Sequence, residues 1–217
     1  MTTTAWVLLA VAGGFAVGNW VAVARGSKPV EYVCKPATLL ALIAVAIALD
    51  PVHGDTRAWF VVALVLSLVG DVALLLPEQW FLAGLVAFLL AHLAYVAGMV
   101  QLDLHPPWGA VIVLVAVAIV GRRILRAVRA EEPPLLAPVT VYLVVISAMA
   151  IVAWATGQPW LIVAAMLFFA SDATLGWHRF VTPAPADPAA ASVVAPLAVM
   201  ITYHAAQACF VAFLLTR

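Results

Sequence analysis

The chain has 217 residues, 67% of them hydrophobic and 9% charged, with a mean hydropathy of +1.16. Those fractions lie far outside the range of soluble domains and mark an integral membrane protein. The net charge is zero, so no nucleic-acid partner is expected.

Apolar stretches of about 18 residues or more read as spanning helices. Eight follow in chain order: Ala5 to Ala24, Tyr32 to Leu49, Ala58 to Leu76, Trp80 to Val100, Trp108 to Leu125, Leu135 to Ala155, Trp160 to Trp177 and Val193 to Leu215. The expected fold is all-α, a polytopic membrane bundle of eight transmembrane helices forming one domain over 1–217. The first run lacks a basic flank and is long enough to span, so a retained helix is expected rather than a cleaved signal, with no soluble domain outside the bundle. The Pro- and Ala-rich stretch from Thr182 to Ala190 reads as the loop before the last helix, a linker or a mobile flap. Trp80, Trp108, Trp160 and Trp177 stand at helix ends, as an aromatic belt requires. Cys34 and Cys209 fall inside spans and are expected to pack as small apolar residues.

Arg25, Lys28, Arg122, Arg123, Arg126, Arg129 and Arg179 border the loops after the first, fifth and seventh helices, whereas Arg57 and Arg217 fall on the opposite face. The positive-inside rule then predicts a multi-pass protein of the cell membrane with those loops cytoplasmic and both termini extracytoplasmic.

Asp71 and Asp172 each interrupt an apolar run, in the similar phrases SLVGDVALL and FFASDATLG. A carboxylate at membrane depth costs several kcal/mol unless paired or hydrated, so it marks a functional site by default. Pro36 precedes Asp71 by 35 residues and Pro138 precedes Asp172 by 34. That spacing fits two parallel four-helix pseudo-repeats, with His92 and His204 on their last helices. Composition bias produces similar spacings, so both readings stay open.

A rise of about 1.5 Å per residue places Lys35 roughly 5 Å inside the cytoplasmic boundary, Asn19, Asp71, Asp172 and Tyr142 roughly 7 to 11 Å, and His92 and His204 roughly 16 to 18 Å. Ser67 with Asp71, His92 with Tyr95, and Tyr203 with Gln207 are spaced to share a helix face. A polar cavity opening to the inner leaflet is therefore expected, with a lipid or small amphiphile as its ligand. Asp71 and Asp172 are the catalytic candidates. Lys35, Asn19, Ser67, His92, Tyr95, Tyr142, Ser171, Tyr203, His204 and Gln207 are the substrate-binding candidates. Each has a plainer reading: Lys35 snorkels to the headgroups, and the tyrosines, histidines and Gln207 join helices by hydrogen bonds.

In their order and spacing these residues resemble the YhhN family of membrane proteins. The likeness covers helices 2 to 8 and is carried by Lys35-Pro36; Ser67, Gly70 and Asp71; Gly84, Phe88, His92 and Tyr95; Pro138, Val139, Tyr142 and Met149; Phe168, Ser171, Asp172 and Phe180; and Tyr203, Ala206 and Gln207. Characterised members of that family are lysoplasmalogenases. The resemblance implies hydrolysis of the vinyl ether bond of a lysoplasmalogen to a fatty aldehyde and a glycerophospho-ethanolamine or glycerophospho-choline.

Such a reaction needs an acid to protonate the alkene and a base to position water, roles that two carboxyls in unlike environments can divide. Lys35 is expected to meet the substrate phosphate. No cofactor is expected. A zinc site built from His92, His204, Asp71 and Asp172 is an alternative. So is a proton-coupled transporter or lipid-binding protein using the same carboxyls, although polar residues in only one half of the bundle argue against alternating access.

Overall fold

The computed structural model describes residues 3–49, 53–183 and 192–215. The described residues fold into helices α1 (Thr3–Ala24), α2 (Lys28–Ala48), α3 (Gly54–Leu75), α4 (Phe81–Met99), α5 (Ala110–Ala116), α6 (Arg122–Glu131), α7 (Leu136–Thr156), α8 (Pro159–Phe180) and α9 (Val194–Phe213), with no strand among them. In hydrocarbon a chain has no water to satisfy its amides, and a helix satisfies them within itself. Seven of the helical segments among the described residues are long and apolar enough to cross a membrane, one fewer than the eight expected.

The expected fifth span departs from a plain helix. α5 and α6 are joined without a break by a π-helical turn, Val117–Gly121, and the rod continues to Glu131 rather than stopping near Leu125. Arginine ends a hydropathy window but is a good helix former. In α6 the exposed Arg122, Arg123, Arg126 and Arg129 lie opposite Ile124 and Val128, which pack with Val139 of α7. Charge therefore marks an amphipathic face here and not a helix end. α2 likewise begins at Lys28, ahead of Tyr32, so Lys35 lies about 10 Å along the axis from the first helical residue.

The most extensive pairings join helices adjacent in sequence, α1 with α2, α3 with α4, and α8 with α9. Two contacts close the bundle: α4 packs on α7, and α9 lies against α1, α2 and α3. Aromatic rings fill the interior, with Tyr95 stacked on Phe210 at 3.8 Å between centroids and Phe88, Phe168 and Tyr203 edge to face. At one end Gly157, at φ 63°, caps α7 in the left-handed conformation that glycine adopts without strain. At the other, Arg179 of α8 meets Glu78, in the turn before α4, and Glu132, in the turn after α6. Both cysteines are free. Thr182 and Pro183 are non-helical as expected; the remainder of that predicted loop, and Arg217, lie outside the described residues.

Candidate active site

Asp71 sits near the end of α3 with 1% of its surface exposed. Its Oδ1 lies 3.2 Å from Lys35 Nζ of α2, and its Oδ2 accepts a 2.7 Å hydrogen bond from the Tyr203 hydroxyl of α9. Gly70 makes room for this arrangement. A Cβ there would come within 2.6 Å of the Phe88 ring, which packs against Tyr203. A buried carboxylate thus meets a buried cation and a donor, the conditions under which such a charge is tolerated.

Asp172, on α8, is placed differently. Its Oδ2 accepts a short hydrogen bond from the Tyr142 hydroxyl of α7, and His92 Nε2 of α4 lies 3.9 Å from the same oxygen. The His92 ring is wholly buried, edge to face with Tyr142 and Phe168. Among the described residues no lysine or arginine pairs with Asp172, and its side chain is 16% exposed, against 1% for Asp71. The two aspartates therefore differ in partner and in access.

One cavity, of about 100 Å³, is lined by both. Lys35, Tyr142, Ser171 and Tyr203 border it as well. The rest of its wall is almost entirely apolar: Phe88 of α4, Val120 and Gly121 of the π turn, Ile124 of α6, Leu143 and Ile146 of α7, and Met200 of α9. π turns often occur where a helix is shaped for function, and this one forms cavity wall. At the cation-rich end the cavity reaches Arg179, Phe81 and Phe180.

Other predicted binding residues stand behind this wall. Tyr95 donates a short hydrogen bond to Gln207 Oε1, away from the cavity. His204 Nδ1 accepts from Trp20 Nε1 at 3.1 Å. Asn19 and Ser67 are fully buried and also stand outside the lining. The zinc alternative does not fit this geometry, because Asp71 is taken up by Lys35 and Tyr203 and His204 by Trp20. Among the described residues no three His, Cys, Asp or Glu side chains converge as a metal site requires.

Residues 30–214 match the YhhN family. The chain belongs to that family. It is 39% identical over 153 residues to proteins of Mycobacterium bovis and Mycobacterium tuberculosis, each named lysoplasmalogenase, across 67% of this chain and 58% of theirs. It is 34% identical over 147 residues to the human lysoplasmalogenase TMEM86B, with the same two coverages. The chain thus spans less than two thirds of the length of these relatives. No solved structure matches it.

In this YhhN chain the structure adds residues that the sequence does not mark as site residues. Arg179 reads in sequence as a loop charge, yet it follows Asp172 by seven residues, two helical turns along one face. That spacing was the available signal. Trp20, read as part of an apolar run, carries the only donor to His204 among the described hydrogen bonds, and nothing in its neighbours points to that pairing.

Proposed function

We propose that this protein is a hydrolase of vinyl ether lysophospholipids, with Asp172 as the acid and Asp71 as the base. The observation that carries the reading is a single apolar cavity bordered by two carboxyls with unlike partners, one beside a lysine and one beside a tyrosine and a histidine. Vinyl ether cleavage needs neither a nucleophilic serine nor an oxyanion hole. It needs a proton donor in a dry slot and an anion near the cation that forms.

Asp71, beside Lys35, is the ionised partner, and Asp172, more accessible and without a cation, carries the proton. The proton moves from Asp172 to the alkene carbon farther from the ether oxygen, and an oxocarbenium ion results. Water adds to the carbon bearing that oxygen while its proton passes to Asp71. As the hemiacetal collapses, Asp71 returns the proton to the departing glycerol oxygen. The hemiacetal hydroxyl reprotonates Asp172, and the products are a fatty aldehyde and the glycerophospho-alcohol. Two carboxyls thus alternate, as they do in glycoside hydrolysis. The apolar wall holds the alkenyl chain, and the cation-rich end faces the cytoplasm by the positive-inside rule.

The test is to incubate the full chain, purified in detergent, with 1-alkenyl and 1-acyl lysophospholipids and to identify products by mass spectrometry. Aldehyde from the alkenyl lipid and no fatty acid from the acyl lipid is the expected result. Folded protein that releases no aldehyde, or that cleaves the ester instead, contradicts the assignment.

A further inference from the structure

The cavity is bordered by two cations among the described residues, Lys35 and Arg179. Lys35 is 4% exposed and its ammonium is engaged by Asp71 at 3.2 Å. A headgroup phosphate drawn to Lys35 would compete with that buried pair, whose separation is unfavourable. Arg179 is free of that difficulty. Its guanidinium stacks over the Phe81 ring at 4.0 Å and the Phe180 ring at 5.0 Å, and both rings border the cavity.

The described contacts of Arg179 use only Nη2, which meets Glu78 Oε1 at 2.6 Å and Glu132 Oε2 at 3.3 Å. Its Nε is buried and has no hydrogen-bond partner among the described residues. The guanidinium fork presents five donors suited to two oxygens at once, the geometry of a phosphate. Glu78 and Glu132 are 72% and 41% exposed, so these are solvated ion pairs, of the weak and exchangeable kind.

Placement along α8 gives a ruler. Arg179 lies seven residues beyond Asp172 on one helix face, about 10 Å along the axis. A glycerol unit with phosphate at one end and an ether-linked chain at the other suits the interval between them.

We propose that Arg179 is the phosphate-binding residue of this cavity, selecting single-chain ether lipids that carry a headgroup phosphate and setting the ether bond against Asp172. Glu78 and Glu132 occupy the guanidinium until the phosphate replaces them. The choice of ether lipid rests on the hydrolase reading above; the phosphate contact itself is measured without turnover.

The probes are a saturated 1-alkyl lysophosphatidylethanolamine, which the proposed chemistry does not cleave, and the matching 1-alkylglycerol, which lacks the phosphate. Affinities for the full chain are measured in uncharged detergent. The wild type is expected to prefer the phosphate-bearing lipid at least tenfold, and Arg179→Gln to lose that preference. Glu132→Gln, which keeps the arginine and removes a competitor, is expected to increase the preference severalfold, an effect that a purely structural latch does not produce.

An unchanged ratio in Arg179→Gln, or a reduced ratio in Glu132→Gln, overturns the proposal. The second variant decides the matter if the first fails to fold. Displacement of the lipid by glycerol 3-phosphate at equal concentration overturns the lipid assignment in favour of a soluble phosphate. An Arg179-dependent preference in a protein that releases no aldehyde leaves this proposal standing and removes the hydrolase reading alone.

Discussion

Lys35 Nζ and Asp71 Oδ1 lie 3.2 Å apart with side chains 5% and 1% exposed, joining α2 to α3 inside the bundle. Removing one partner of a buried pair strands the other, typically at about 3–5 kcal/mol. Lys35→Met or Asp71→Asn alone is therefore expected to lower thermal stability by an amount of that order. The double variant should lose clearly less than the two singles together, as coupled residues do. Melting of all four proteins in one detergent checks this, and simple additivity contradicts the pairing.

Asp172→Asn retains the shape of the side chain but cannot deliver a proton. General acid–base catalysis contributes about 10²–10⁴-fold, so kcat for aldehyde release should fall by that order. Tyr142→Phe, which removes the donor to Asp172 Oδ2, should give a smaller loss in the same direction. Single-turnover rates resolve the two, and an Asn variant within threefold of the wild type would exclude Asp172 as the acid.

Gly70→Ala places a methyl within 2.6 Å of the Phe88 ring, which lies 5.7 Å from the Tyr203 ring. Overpacking of this kind costs about 1–3 kcal/mol. Stability and turnover should fall together as Tyr203 shifts from Asp71. Adding Phe88→Leu should restore much of the stability.

Tyr95→Phe takes the hydroxyl from Gln207 in the buried interior. Leaving that acceptor unsatisfied costs about 1–3 kcal/mol. Because neither residue borders the cavity, KM should change far less than stability does. A tenfold rise in KM at unchanged stability would return both residues to the substrate-binding role expected of them from sequence.

Ile146 of α7 is 3% exposed and borders the cavity beyond Tyr142. Ile146→Trp should shorten the slot available to the alkenyl chain. A chain longer than the shortened slot must clash with the indole whereas a short one need not, so kcat/KM should fall more steeply for long chains than for short ones. A uniform loss across a chain-length series would place the chain elsewhere.

Much of the candidate site was legible because polar groups stand out against hydrocarbon. Asp71 and Asp172 were conspicuous at once, and both border the cavity. Asn19, Ser67, Tyr95, His204 and Gln207 share the polar character of Tyr142 and Tyr203, but they lie behind the cavity wall. Depth along a helix follows from counting residues, whereas the direction a residue faces follows from how the helix is turned against its neighbours. Arg179 is inconspicuous for a related reason: hydropathy assigns a terminal arginine to the loop, and only the packing of α8 against Phe81 and Phe180 shows it bordering the cavity.

The sequence by itself determined that the chain is a bundle of membrane-crossing helices, approximately where each begins and ends, and which two carboxyls stand out as unusual. Those properties depend on the transfer of each segment between water and lipid, which local composition sets. Only the tertiary structure decided that Lys35 pairs with Asp71 while Asp172 faces Tyr142 and His92, and that Arg179 borders the cavity they share. Lipid is as apolar as the helix surface, so hydropathy leaves helix rotation and pairing unspecified. Close packing and hydrogen bonds between helices choose them.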